Sequence, residues 1–297
     1  MRTKLCVVLV GLVFAAAVSL AEEHPKTRAE AEQLAKRLKY QQGEINLQGG
    51  IAKLNVPSGF RYLNPDDTKI VLETLWGNPP STTKELGMLM PSDRGPLDSD
   101  SWAVLISYAG DGYVKDDDAG KINYDDLLKK MQSAVQDNNK KRIKQGYPSI
   151  ELVGWAAPPH YDAASHKLYW AKELRFDGTP ANTLNYDIRI LGRRGVLVLS
   201  AVAAIDQLGE IEKVTPQILG MVNFNEGHRY ADFDPKVDKV ATYGIAALVA
   251  GGVAAKLGLF KLLWVFVLAA KKFIIIAFVA VAAWFRKLFQ KDKKTPA

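Results

Sequence analysis

IELVGWAAPPHYDAASHKLYWAKELRFDGTPANTLNYDIRILGRRGVLVLSAVAA, residues 150–204, decides the fold. Four runs in it, Ile150–Ala156, His166–Phe176, Leu184–Leu191 and Gly195–Ala204, are rich in β-branched, aromatic and aliphatic residues. Gly, Pro, Asn and Asp separate them, which is the pattern of successive strands rather than helices. Gly192-Arg193-Arg194-Gly195 reads as a hairpin turn between the last two, with its cations turned outward. Strands joined by such short connections pair antiparallel.

The elements upstream extend this sheet and supply its helices. Ile45 and Leu47, then Ile51 to Val56, read as two short strands around Gly49-Gly50; Leu86–Met90 and Trp102–Tyr108 read as two more. Helices are expected within Glu22–Tyr40, at Pro65–Trp76, at Tyr124–Gln145 and near Val214–Val222. The second of these has Asn64 as cap, Pro65 at the first helical position, and Gly77 with Pro79-Pro80 to stop it. The third has Asn123 as cap and a stripe of Leu127, Leu128, Met131, Val135 and Ile143. The expected fold is α+β: a largely antiparallel sheet with packed helices, followed by C-terminal transmembrane helical segments.

That last expectation comes from the ends of the chain. Residues 1–21 read as a signal peptide, with Arg2 and Lys4 before an apolar run and Ser19-Leu20-Ala21 as the cleavage site. Its removal would take away Cys6, the single cysteine, and with it disulfide and thiolate chemistry. Residues 241–285 read as a membrane anchor and 286–297 as a basic tail, leaving 22–240 as a periplasmic domain. The first span would run from Val240 to Phe260, with Ala247, Gly251 and Ala255 spaced for helix–helix pairing. Lys271-Lys272 leaves two topologies open, one crossing plus an interfacial helix or a helical hairpin. The bacterial inner membrane is the expected location and the lipid bilayer the expected partner.

The formal charge of +7 sits in these two apolar ends, whereas residues 22–240 are slightly acidic. A nucleic-acid surface needs its cations on the folded body, so that class is excluded. Lys115 to Asp126 places Gly120 where a calcium loop needs glycine, but Lys115 and Ala119 stand where oxygen ligands belong. A solvated acidic loop is the better reading. Ser200 lies in an apolar strand without a nucleophile elbow and reads as a small core residue. His160, Asp162 and His166 cluster near one turn, and Trp155 and Trp170 flank them. These five are the candidate ligand or partner residues; no catalytic residue, cofactor or metal set is assigned.

Several segments carry a resemblance. Val56-Pro57-Ser58-Gly59-Phe60-Arg61-Tyr62-Leu63, Leu75-Trp76-Gly77-Asn78-Pro79 and Trp102 begin it. Gly154-Trp155, Pro158-Pro159-His160-Tyr161-Asp162, His166-Lys167-Leu168-Tyr169-Trp170-Ala171 and Tyr230-Ala231-Asp232-Phe233 continue it. Together they resemble a bacterial family of predicted membrane-anchored proteins, domain of unknown function 2167. The resemblance implies anchoring and no catalysis. A looser similarity, to Mog1/PsbP-like domains, rests on the early Val-Pro-Ser-Gly-Phe segment, the late hairpin and the helix before Asn223-Phe224. The expected function is a non-enzymatic envelope module that binds a protein partner. A lipid or small-ligand binder is the alternative, and a hydrolase or metal-dependent enzyme a further one.

Overall fold

The computed structural model describes residues 25–250, except 26, 48, 79, 81 and 82. In chain order the elements are α1 (Arg28–Ala35), β1 (Gly43–Asn46), β2 (Ala52–Val56), β3 (Phe60–Leu63), α2 (Pro65–Lys69), β4 (Glu85–Pro91) and β5 (Ala103–Ala109). Then come α3 (Tyr124–Lys144), β6 (Ile150–Asp162), β7 (Lys167–Phe176), β8 (Thr183–Leu191), β9 (Val196–Ala204), α4 (Leu208–Met221), β10 (Val222–Phe224) and α5 (Ile245–Val249). Seven strands form one sheet in the order β3-β4-β5-β9-β8-β7-β6, and β1-β2-β10 form a second. Every neighbouring pair is antiparallel. The α+β expectation therefore holds for the described residues.

Strand periodicity explains the layering. Along β9, Leu197, Leu199, Ala201 and Ala203 enter one core while Val196 and Val198 enter another. Successive side chains of a strand point to opposite faces, so this sheet is buried on both sides. One face packs on β2 and α4 through Leu54, Val56, Ile211, Ile218 and Met221. The opposite face is covered in two places. Leu38 and Val71 cover Leu63, Met88, Met90 and Ala103 at the β3-β4-β5 end. Ile245, Leu248 and Val249 of α5, with Leu127 and Met131 of α3, cover Leu168, Trp170, Leu191 and Val196 at the other.

The expected boundaries shift where short-range signals compete. After Lys69, α2 continues as wider π-helical turns over Ile70–Leu75. α4 begins well before Val214 and carries Pro216 inside it, a residue that cannot donate to the helical ladder. β3 and β10 were not expected; four and three residues are too few to show a period. Ile143, placed in the apolar stripe of α3, is 61% exposed.

The transmembrane expectation is corrected. Among the described residues no helix is long and apolar enough to cross a membrane. Where the first span should begin, Val240 bridges Tyr113, and Ile245, Leu248 and Val249 are buried in the core. Hydropathy records a preference for leaving water and does not say whether protein or lipid receives the residue. Five expectations built on that span go with it. These are the bilayer as partner, helix pairing through Ala247, Gly251 and Ala255, the inner-membrane location, the envelope partner and a membrane-anchored function. Residues 1–21, Gly251, Ala255 and the basic tail lie outside the described residues.

One acid in this frame has a measurable consequence. Glu85 opens β4 beside a bulge, where Gly87, at φ 146°, brings its backbone against the Tyr62 ring. A Cβ at Gly87 would overlap that ring, so only glycine fits. Glu85 Oε2 is buried without a partner, and burial pushes the carboxyl up from 4.5 to about 7. The folded chain thus keeps a proton that the unfolded chain releases, and stability falls as pH rises through that interval. Glu85→Gln should remove the fall and be more stable than the parent above neutrality, by at most about 3 kcal/mol, in urea titrations on either side of the interval.

Candidate functional site

The β6–β7 hairpin carries the five sequence-named residues but sends them to different places. Asp162 serves its own turn, accepting from the Ala164 N–H at 2.9 Å and the Ser165 hydroxyl at 2.5 Å. Trp155 lies under α3 and donates Nε1–H to the Tyr124 carbonyl at 3.4 Å. His166, at φ 51°, turns toward a different loop: its Nδ1 is 3.4 Å from Asp116 Oδ2 and 3.3 Å from Tyr161 Oη. His160 projects from the face it shares with Tyr169, its partner across the hairpin. Trp170 is 1% exposed, and the Arg189 guanidinium lies 4.7 Å from its ring centroid. Among the described residues no three His, Cys, Asp or Glu side chains are arranged to hold a metal ion.

His166 belongs to a latch. Tyr161 donates to Asp116 Oδ2 at 2.6 Å, and the Tyr230 ring lies 4.0 Å from the His166 ring. Tyr230 and Phe233 both stack on Tyr113, with centroids 4.4 and 3.9 Å away. Burial and the adjacent Asp116 carboxylate push the Tyr161 hydroxyl well above its ordinary value. Burial pushes the Asp116 carboxyl up, but hydrogen bonds from Tyr161, Tyr230 and His166 outweigh it and hold the group below the usual range.

The loop expected to be solvated is thereby occupied. Besides Asp116, Asp111 accepts the Tyr243 hydroxyl at 2.8 Å, and Asp118 accepts the Ile245 N–H at 3.0 Å, opening α5. Of the two turn arginines, Arg193 is turned inward at 18% side-chain exposure, whereas Arg194 stays about half exposed, at 53%. Arg193 Nε and Arg194 Nε lie 2.6 and 2.7 Å from the Asp238 carboxylate, whose side chain is fully covered. Acidic loop and basic turn together bind the returning residues 225–250 to the sheet.

A groove of about 500 Å³ lies on the other face, between the β6-β7-β8 surface and α4. Tyr169 and Tyr186 form its floor, His160 and Pro158 one side, and Glu212, Pro216 and Leu219 the α4 side. Trp170 touches the wall, although it packs in the core on the opposite face. Tyr186 is nearly buried, and its hydroxyl interacts with Thr215 on α4. The volume suits a small organic ligand, and apolar walls with a few polar groups are what such sites use.

The comparisons with known proteins bear on the family alone. Residues 39–282 match the family described as Protein of unknown function (DUF2167). The chain belongs to that family. No curated protein matches it. Its fold is similar to that of cyanobacterial PsbP from Synechocystis sp. PCC 6803, at 12% identity over 63% of this chain and 92% of the other, with a TM-score of 0.33. The Ran-binding protein Mog1p of Saccharomyces cerevisiae is similar at 12% identity, over 63% and 95% of the two chains, with a TM-score of 0.31. The likeness is distant and brings no function with it. The family description names no activity.

Sequence reading missed the groove's Tyr169, Tyr186 and Glu212, which come from three separate elements. It also misjudged Ser200, whose hydroxyl donates to Asp187 Oδ1 at 2.6 Å. The available signal was Asp187 and Arg189 alternating with Ile188 and Ile190, which marks a polar stripe on one face of β8.

The latch is sensitive to acid. Arg193, Arg194 and a backbone N–H hold Asp238 far below the usual carboxylate range, against burial. Its stabilisation is therefore present above the ordinary carboxylate value, roughly pH 4, and is lost as pH falls below it. Asp238→Asn should lower Tm at neutral pH by about 2–6 °C and shrink the loss of Tm on acidification, both read by differential scanning calorimetry.

Proposed function

We propose that this DUF2167 member is a non-catalytic binding protein whose α4 groove takes a small organic cation, of the quaternary or primary ammonium class. What carries the reading is the lining: two tyrosine rings and one carboxylate, Glu212, with no lysine or arginine on the wall among the described residues. Aromatic faces attract cations through their quadrupole, by ~0.5–2 kcal/mol per ring depending on desolvation. A carboxylate at the rim adds steering and a direct ion pair.

His160 closes one end of the groove and lets bound amines hydrogen-bond through its imidazole. Pro216 gives α4 a rigid apolar surface here and leaves the Glu212 carbonyl without its usual helical donor.

The test is isothermal titration of the full chain with benzyltrimethylammonium and with an uncharged isostere carrying a tert-butyl group in place of the trimethylammonium. Saturable binding of the cation is expected, at least about tenfold tighter than the isostere. Glu212→Gln and Tyr169→Leu should each weaken it several-fold. Glu212 is exposed, so the first substitution should leave Tm within about a degree. Equal binding of the charged and uncharged compounds, or unchanged binding by both variants, would contradict the reading.

A further inference from the structure

Across β7, β8 and β9, on the sheet face opposite the groove, the alternation brings Trp170, Lys172, Asp187, Arg189 and Ser200 into one patch. Trp170 pairs across the ladder with Asp187, and Asp187 with Ser200. Lys172 and Arg189 each stand two residues further along their own strands, in opposite directions from that row. Lys172 Nζ lies 2.8 Å from Asp187 Oδ2, and Arg189 lies 3.3 Å from Oδ1.

The charges in this patch do not balance. Lys172 is 20% exposed at its side chain, Arg189 12% and Asp187 4%, so all three are largely withdrawn from water. Among the described residues Asp187 is the one carboxylate within ion-pair distance of either cation. Burial pushes its carboxyl up, but the two cations outweigh this and hold it ionised. Two cations then share one anion, and a net positive charge is left in a low-dielectric position where unpaired charge is costly.

The donors outnumber their acceptors as well. Arg189 gives one bond to the Ile188 carbonyl and one to Asp187 Oδ1, which leaves its Nε–H unused. The Arg189 side chain keeps 12% of its surface exposed. The Lys172 ammonium carries three N–H groups and lies 2.8 Å from Asp187 Oδ2 as an ion pair. The Arg189 guanidinium carbon lies over the Trp170 ring, 4.7 Å from its centroid, and Trp170 Nε1 is itself buried without an acceptor. A planar, half-used fork beside an ammonium matches the geometry of an oxyanion.

We propose that Lys172 and Arg189, seated on Trp170 and sharing Asp187, form a binding site for a small oxyanion, a carboxylate or a phosphate. Ser200 donates its hydroxyl to Asp187 Oδ1 at 2.6 Å and so positions that carboxylate. Asp187 competes with the ligand for the two cations and so sets its affinity. The site lies on the sheet face opposite the α4 groove, shares only Trp170 with the groove's lining and takes the opposite charge, so either can fail without the other.

The full chain is titrated with acetate, benzoate and inorganic phosphate at constant ionic strength, with chloride as the control. Binding is read from chemical shifts of the tryptophan indole N–H groups and from Tm. At least one oxyanion should bind saturably and raise Tm where chloride does not; which one responds separates carboxylate from phosphate. Arg189→Gln and Lys172→Gln should each weaken binding about tenfold. Asp187→Asn should tighten it while lowering stability in the absence of ligand, the combination a purely structural ion cluster would not give. Ser200→Ala should retain binding. If Arg189→Gln fails to fold, Lys172→Gln and the parent's own titration carry the test. No oxyanion effect beyond chloride in the parent, or the same effect in every folded variant, would overturn the site.

Discussion

Burial of β8 and β9 on both faces is the constraint from which the rest of the structure follows. Leu184, Ile188, Leu197 and Leu199 need cover on one side; Leu191, Val196 and Trp170 need it on the other. The first cover is local, because α4 follows β9 directly and leads into β10 and the small sheet. The second must be brought from elsewhere. It comes from α3, inserted before β6, and from α5, which follows a return of the chain past the acidic loop. Burying a large aliphatic or aromatic side chain is worth about 1.5–3 kcal/mol, so Ile245 and Leu248 are substantial parts of this core.

The polar residues make sense within that arrangement. Asp111 and Asp118 meet the Tyr243 hydroxyl and the helix-opening Ile245 N–H of the returning chain, Asp116 meets the Tyr161 hydroxyl of β6, and Asp238 answers the two turn arginines. Most of these pairings meet a donor that packing has partly withdrawn from water, where an unmet group is costly. The same principle makes the Lys172–Asp187–Arg189 patch informative. There the pairing is incomplete, on a face whose two covers, at Trp170 and at Met88, leave the middle polar.

Much of the fold was legible in the sequence because it is written in local periods and stops. The four strands of 150–204 and the Asn123-capped α3 follow from alternation, turn residues and capping, each a property of a few neighbouring positions. The small strand β10 and the early start of α4 were not, since Gly209 and Pro216 weaken the helical pattern and three residues carry no period. α5 was misread for a different reason: its residues are apolar, and their partners, Val114 and Leu168, lie far away in the chain. The candidate sites show the same limit. His160 and Trp170 stood out by residue type, but a groove assembled from β6, β7, β8 and α4 exists only once those elements are packed.

The central claim, that Ile245–Val249 belong to the core of the folded body, is tested most directly by amide hydrogen exchange on the full chain. If they do, peptides covering residues 240–249 exchange as slowly as those from β9 and speed up only with global unfolding. Exchange of that segment within seconds, while β9 remains protected, would contradict the claim and detach the latch from the stability of the domain.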